Sequence, residues 1–292
     1  MNALRIAHLT FREAVRRKAL YGALVLTLAF LVLYAWGTGL AVAEINRLYA
    51  PGGLAGIARR AGVDIRPVAI GELLLAGLFA VANIAGLLAI FTAAATIAQE
   101  VDQGTLQSVL AKPVARWQVV IGKWLGGSAM LAVYVAVTSL TAVLIVYWHS
   151  GYFPERLPLG IGLLVLKAML LYSVTMVGSA FAPAVATGIA MFIVYVIANV
   201  AGMVEQVGVA AGIESMVRIG IMASLVLPSD ALWKMGAAAV EPPNPLPALG
   251  LNVSLGPFGV INPPSVWMGV YALAYMAVAL GAATAIFSRR DL

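Results

Sequence analysis

Six long apolar runs constrain this sequence more than any other feature. Each supplies about 20 or more residues, the length that crosses a hydrocarbon core roughly 30 Å thick. Only 10% of the 292 residues are charged, too few to cover the surface of a soluble domain. The sequence therefore predicts an all-α polytopic membrane protein whose six transmembrane helices form one transmembrane domain over 1–292. The predicted spans are 19–43, 70–98, 119–148, 159–182, 184–204 and 266–287.

A proline divides the fourth apolar run from the fifth. Together the two runs would form a helix of about 46 residues, which is too long for a single crossing of the bilayer. Pro183 cannot continue the helical hydrogen-bond ladder. We therefore predict two spans joined by a tight turn.

The first 18 residues predict an amphipathic helix on the cytoplasmic surface. Leu4, Phe11 and Val15 form its apolar edge, and basic residues such as Arg5 occupy other faces. The apolar run that follows, about 19–43, is longer than the h-region of a cleaved signal peptide. It is interpreted as a retained first span, so that 19–204 contains spans one to five.

The segment 205–265 is predicted to be extracytoplasmic and differs from an ordinary loop. Its first half is too apolar to be solvated, but Arg218, Pro228 and Asp230 interrupt any run of span length. Short re-entrant-like helices before the last span fit this pattern, because their backbone can be buried in protein. Residues 241–265 contain seven of the fourteen prolines and predict a stiff extended cover.

The density of lysine and arginine predicts the orientation of the chain. Segments 1–18, 99–123 and 288–292 hold 10 basic residues among 48, whereas the segments on the other side hold 7 among 97. By the positive-inside rule both termini are cytoplasmic, and 266–292 forms the last span and a cytoplasmic tail. Lys167 is predicted to lie near the outer interface, with its ammonium group extended to the membrane surface.

Several chemistries lack their usual residues. The net charge of +6 is explained by basic flanks of membrane helices, and no basic patch with interleaved aromatic residues predicts nucleic-acid binding. The chain has no cysteine and no His-Glu-x-x-His pattern, and Gly122 and Lys123 do not belong to a phosphate-binding loop because Trp124 follows them. We therefore predict no catalytic, cofactor-binding or metal-binding residue and no enzymatic activity in this chain.

No chain of ionisable residues is expected inside the membrane. Glu72, Glu205 and Lys167 are placed near the ends of spans, which leaves Asn83 and Asn199 as the deep polar residues. Asparagines in membrane helices more often join helices by hydrogen bonds than bind substrate. Both asparagines are therefore interpreted first as interhelical contacts.

The polar stretch between the second and third spans carries the most specific pattern. It begins with acidic residues, turns at a glycine, continues as a short helix with one apolar edge, and ends at a proline and a basic residue. In order, these residues are Glu100, Asp102, Gly104, Thr105, Leu106, Val109, Leu110, Pro113 and Arg116. Spacing alone leaves two interpretations open, a lipid-facing loop and a knob that fits a groove in a partner.

With these residues in this order, the stretch resembles the signature of the ABC-2 family, the membrane subunits of ATP-binding-cassette exporters. The basic N-terminal helix, the proline at 183, the re-entrant-like helices and the terminal Phe-Ser-Arg-Arg-Asp-Leu sequence agree with that resemblance. It implies a coupling helix over 104–110 that docks on an ATPase. Arg116 and Lys123 would then position this segment and anchor it at the inner leaflet.

The same resemblance implies the partners and the location of the chain. The chain would be a permease in a prokaryotic cytoplasmic membrane, paired with a second permease that is expected to be an identical copy. A separate ABC ATPase in two copies would bind ATP and Mg²⁺, and this chain would bind no cofactor.

The cargo predicted from the apolar spans is hydrophobic or amphipathic. The resemblance places the second and fifth spans at the dimer interface, and the residues suggested for a substrate path are Asn83, Phe91, Asn199 and Met203. Two other classes of protein remain open. An ATPase-independent secondary transporter or channel would use a gradient, and a membrane enzyme would need a clustered acid, base or metal site.

Overall fold

The structure, a computed structural model, describes residues 3–49, 66–102, 115–242 and 258–289. Within these ranges the chain forms nine α-helices and no strand. In chain order they are α1 (Ala3–Arg16), α2 (Lys18–Leu48), α3 (Arg66–Asp102), α4 (Arg116–Ser150), α5 (Leu157–Ser179), α6 (Ala184–Ala211), α7 (Glu214–Val226), α8 (Ser229–Val240) and α9 (Val266–Arg289).

Six of these helices are long and apolar enough to cross a membrane, namely α2, α3, α4, α5, α6 and α9. The six predicted spans and the all-α polytopic class are thereby confirmed. Most helices continue past the apolar run that predicted them. Helix α6, for example, extends to Ala211 instead of ending at residue 204. Its extra turns carry Glu205, whose carboxylate is paired with a lysine of a neighbouring helix.

Helix α5 lies at the centre of the bundle and packs against α3, α4, α6, α8 and α9. Helix α3 lies beside it and also contacts α2, α4 and α6. Large side chains such as Leu75, Ile90 and Leu171 are fully buried between these helices. Helix α2, in contrast, leaves most of its apolar surface exposed. Helices that are apolar on all sides are typical of a bundle surrounded by lipid.

Helix α1 packs along α4. Ile6, Thr10 and Ala14, spaced four residues apart, are buried, whereas Leu4 is 75% exposed. A Cβ added at Gly126 of α4 would lie 2.5 Å from a backbone oxygen of α1. Small residues at this face permit the close contact between the two helices. Leu4 of the predicted apolar edge is exposed, as the apolar edge of an interfacial helix can be.

The turn between α5 and α6 confirms the predicted division at the proline. Helix α5 ends at Ser179, α6 begins at Ala184, and Pro183 adopts an extended conformation directly before it. The Pro183 carbonyl accepts a hydrogen bond from Thr187 N at 3.0 Å, which starts the new helical ladder.

Two short helices, α7 and α8, form the re-entrant-like pair predicted before the last span. They meet at 106°. Gly212 ends α6 with a φ of 71°, a left-handed conformation that favours glycine, and turns the chain back so that α7 packs on α6. Helix α8 is largely buried and packs on α5. Residues 243–257 of the predicted cover lie outside the described residues, so its stiffness stays a prediction.

The bundle has two ends, here named terminal and distal. The terminal end holds α1, the last turns of α3, the start of α4 and the end of α9. The distal end holds the α4–α5 turn, the start of α3 and the end of α8. At that end Tyr152 OH donates a hydrogen bond to Val240 O at 3.0 Å and ties the α4–α5 turn to α8.

Candidate functional site

The segment predicted to couple the chain to an ATPase joins α3 to α4 at the terminal end. Glu100 and Asp102 lie in the last turn of α3, and Arg116 is the first residue of α4. The other predicted residues of the segment fall outside the described residues, so their coupling role stays a prediction. They are Gly104, Thr105, Leu106, Val109, Leu110 and Pro113.

Arg116 connects the start of α4 to the end of α9. Its Nη1 donates to Ser288 O at 3.0 Å and to Phe287 O at 3.4 Å. These carbonyls belong to the last turn of a helix, where the backbone lacks its own donors and the dipole favours a cation. Arg116 therefore positions two helix ends against each other, immediately after the predicted coupling segment.

The last turns of α3 are held by side chains from the two helices beside it. Lys123 of α4 donates from Nζ to Thr96 O at 3.1 Å. The Ser179 hydroxyl of α5 accepts from Ile97 N at 3.1 Å and from Ala98 N at 3.2 Å. Lys123 is only 4% exposed, so the prediction that it anchors at the inner leaflet is wrong. Its ammonium group faces the carbonyl of Thr96 instead of the membrane surface.

Two further side chains reach the same part of α3. Tyr172 of α5 is fully buried, and its hydroxyl is 3.1 Å from Thr96 Oγ1. Arg17, at the junction of α1 and α2, donates to Thr92 O at 3.4 Å and is also paired with Glu13. Polar contacts from α4, α5 and the α1–α2 junction thus converge on the turns that lead into the predicted coupling segment. Such a contiguous network is the kind that can carry a displacement from one element to its neighbours.

A cavity of about 460 Å³ lies between α3, α6, α8 and residues 258–261. Three aromatic rings border it: Phe79 lies 5.2 Å, centroid to centroid, from both Trp233 and Phe258. Asn199 and Met203, two of the predicted path residues, also border it. The cavity has the size and the mainly apolar lining of a small-molecule site.

Three charged side chains form a cluster at this cavity. Lys234 Nζ lies 2.8 Å from Glu205 Oε2 and 2.8 Å from Asp230 Oδ2. The side chain of Lys234 is 3% exposed, that of Glu205 16% and that of Asp230 7%. The two ion pairs are therefore mostly shielded from solvent. The Asp230 carboxylate occupies the space beside Gly202 that a Cβ would fill. The sequence places Glu205 near the end of a span, and its burial and its pairing with Lys234 were not predicted.

Lys167 contradicts its prediction as well. It is 1% exposed, and its Nζ lies 5.4 Å and 5.9 Å from the ring centroids of Tyr195 and Trp233. Because α5 is the central helix, this side chain faces α6 and α8 and has no path to the membrane surface. Contact with two aromatic faces is the favourable interaction available to the buried ammonium group.

The predicted path residues are divided between different environments. Asn83 Oδ1 accepts from Tyr195 OH at 2.9 Å and so joins α3 to α6, as expected. Asn199 Nδ2 donates to Tyr195 O of its own helix at 2.9 Å, in place of the expected interhelical bond. Asn83, Asn199 and Met203 border a second cavity of about 170 Å³. Phe91 borders neither cavity and lies near Gly188.

One signal in the sequence could have revealed the charged cluster. Asp230 and Lys234 are four residues apart in an otherwise apolar segment, the spacing that pairs an acid with a base on one helical face. Their partner Glu205 lies 29 residues from Lys234, and no local pattern predicts that contact. Among the described residues, no group of three or more histidine, aspartate or glutamate side chains could hold a metal ion.

A partly buried carboxyl group lies at the distal end, outside the spans. The pKa of Glu241 is raised to about 7, mainly by burial and also by the nearby charge of Glu72, although a hydrogen bond from Val260 N at 3.2 Å opposes the shift. The folded chain therefore favours the protonated form of Glu241.

We expect the stability of the fold to depend on pH through this group. Because its pKa is raised on folding, its contribution is fully present below about pH 4.5 and is lost as the pH rises through about 7. Glu241→Gln should raise Tm at pH 8 relative to wild type and reduce the Tm difference between pH 5 and pH 8. Thermal unfolding in detergent measures both. Glu155→Gln, at an exposed neighbour, serves as control, and an unchanged pH dependence in Glu241→Gln would contradict the assignment.

Six spanning helices, a bent helix pair before the last span and a polar network at the α3–α4 junction define a multi-pass helical membrane protein. A family model described as ABC-2 family transporter protein matches residues 4–292, nearly the whole chain. The chain belongs to the ABC-2 transporter family, which confirms the resemblance seen in its sequence. Membrane subunits of this family work with ABC ATPases and are generally not ATPases themselves. No curated protein sequence matches the chain.

Proposed function

We propose that this chain is the permease subunit of an ATP-driven exporter that moves a hydrophobic or amphipathic substrate out of the cytoplasm or the inner leaflet. The family match over residues 4–292 carries the proposal. The contacts at the terminal end support it, because they surround the turns of α3 that enter the predicted coupling segment.

ATP and Mg²⁺ would be bound by two copies of a separate ABC ATPase. When ATP closes the ATPase pair, the coupling helix predicted over 104–110 would move with it and bias the bundle toward one arrangement. Lys123, Ser179 and Tyr172 would pass that displacement from α3 to α4 and α5, since each contacts the last turns of α3. Arg116 would pass it to α9.

The second permease is proposed to be another copy of this chain. Helix α6 has an apolar edge of exposed residues spaced at three or four positions, which suits either lipid or a second bundle. Its members include Phe192, Val196, Val200 and Met203. With the density of lysine and arginine as the guide to orientation, we propose that both termini and the segment 99–123 lie on the cytoplasmic side of a prokaryotic inner membrane.

Co-purification with an ATPase tests this function. ABC ATPases of the native genome are co-expressed one at a time with wild type, Leu106→Asp and Leu110→Asp. We expect wild type to co-purify with one of them and to support ATP turnover. Both aspartate variants should lose the association or the coupled turnover, because a charge on the apolar edge of a docking helix opposes its burial.

Phe153→Asp is the matched control, since it places the same charge at a half-exposed residue of the distal end. It should behave as wild type. If wild type retains no ATPase in mild detergent and the purified chain instead transports along an ion gradient, the secondary-transporter alternative replaces the exporter.

A further inference from the structure

We propose that the cavity between α3, α6, α8 and residues 258–261 binds an organic cation, meaning an apolar molecule that carries a positive charge. If the bound cation is the cargo, the site deepens the export function proposed above and rests on it. Binding of the cation requires this chain alone and is tested without an ATPase.

The charge at the cavity wall favours a cationic ligand. Glu205 and Asp230 share the one ammonium group of Lys234, so the three ionised groups carry one negative charge in excess. Asp230 borders the cavity and is almost fully buried, and in such a region of low dielectric an opposite charge is attracted strongly.

Of the two nearby lysines, only Lys234 borders the cavity. Lys234 borders the cavity but already contacts two carboxylates. Lys167 is not among the described residues that border the cavity. Its Nζ has no hydrogen-bond partner among the described residues and lies over the rings of Tyr195 and Trp233. At the cavity wall an anionic ligand would therefore meet the Asp230 carboxylate and a Lys234 ammonium group already shared by two carboxylates.

The rings that border the cavity favour the same ligand. Phe79, Trp233 and Phe258 lie together, with Phe79 edge-on to Trp233 at an interplanar angle of 70°. Aromatic faces attract a cation through the ring quadrupole, and most strongly when water is excluded. They also supply the apolar surface that would contact the body of the ligand.

Two amide side chains, Asn199 and Gln206, also border the cavity, and each has an oxygen that can accept a hydrogen bond. Asn199 Nδ2 is used by Tyr195 O, which leaves its Oδ1 to accept a hydrogen bond from a charged nitrogen. Met203 and Val207 also border the cavity, and each is at least half exposed on α6. A ligand dissolved in the membrane could thus enter beside α6.

Equilibrium dialysis of tetraphenylphosphonium against the full chain in lipid nanodiscs, with empty nanodiscs subtracted, measures cation binding. Tetraphenylborate is measured separately, because it has the same four phenyl groups and the opposite charge. Asp230→Asn removes the charge at the wall without changing its shape and leaves Lys234 paired with Glu205. Phe258→Leu removes one ring. Glu214→Gln is the matched control, since it removes an exposed carboxylate of α7.

Wild type and Glu214→Gln should bind the phosphonium saturably and with equal affinity. Asp230→Asn should weaken binding by at least about tenfold, the effect expected for losing a charged hydrogen-bonding or ionic partner. Phe258→Leu should weaken it roughly threefold. Tetraphenylborate should show no saturable binding above empty nanodiscs.

Absence of saturable phosphonium binding, equal binding of the borate, or unchanged affinity in Asp230→Asn would each overturn the cation site. If Asp230→Asn fails to elute as a folded protein, unchanged affinity in Phe258→Leu overturns it. The two proposals fail in different ways. Cation binding by a chain that retains no ATPase and transports along an ion gradient refutes ATP-driven export and keeps the site, whereas an ATPase complex without cation binding does the reverse.

Discussion

Replacing Lys234 by methionine should destabilise the fold by roughly 3–5 kcal/mol, the cost of removing one member of a buried ionic cluster. Methionine retains the length of the side chain but leaves Glu205 and Asp230 without the ammonium group that lies 2.8 Å from each. Both carboxylates then lie in a mostly buried site with no compensating charge. The free energy of unfolding in mixed detergent micelles, measured by titration with dodecyl sulfate, reports this loss.

Two comparisons separate the loss of charge pairing from the loss of packing. The triple variant Lys234→Met, Glu205→Gln and Asp230→Asn should recover most of the stability, because no unpaired charge remains. Arg218→Met breaks a pair with Glu214 whose partners are 71% and 77% exposed, so it should cost less than about 1 kcal/mol. Equal losses in Lys234→Met and Arg218→Met would show that the cluster contributes no more than a surface pair.

The spans could be predicted from the sequence because membrane crossing depends on a local property. An apolar run of sufficient length indicates a span whatever its neighbours are, and Pro183 breaks the helical ladder wherever it occurs. The bent pair α7 and α8 could be predicted in the same way, because polar residues interrupt an apolar segment there. The predicted positions of the helix ends were less accurate, because neighbouring helices stabilise polar turns such as the one that contains Glu205.

The interior polar contacts could not be predicted in this way, because they depend on which helices face each other. Lys167 was placed at the membrane surface by its distance along the chain, but α5 is the central helix and the side chain is buried. Likewise Glu205 meets Lys234 only because α6 and α8 pack together. Asn83 was predicted correctly, since an amide in an apolar helix bonds to whichever helix lies beside it.

The contact between α1 and α4 gives the second large effect. Gly126→Ala should lower the free energy of unfolding by about 1–3 kcal/mol, because the new Cβ would lie 2.5 Å from a backbone oxygen of α1 and backbone cannot move aside as a side chain can. The titration with dodecyl sulfate measures this loss. The chain contains no cysteine, so Ala14→Cys on the buried face of α1 provides a single label. Its reaction with a maleimide should become faster in Gly126→Ala.

Gly37→Ala is the matched control, because nothing lies within 4 Å of a Cβ at that position of α2. Alanine is a better helix former than glycine by up to about 1 kcal/mol, so this variant should be as stable as wild type or slightly more stable. The same substitution is thus expected to have opposite signs at two positions of one bundle. If Gly126→Ala were as stable as Gly37→Ala, with unchanged labelling at position 14, α1 would not depend on the missing Cβ. Its attachment to α4 would then rest on its buried Ile6 face alone.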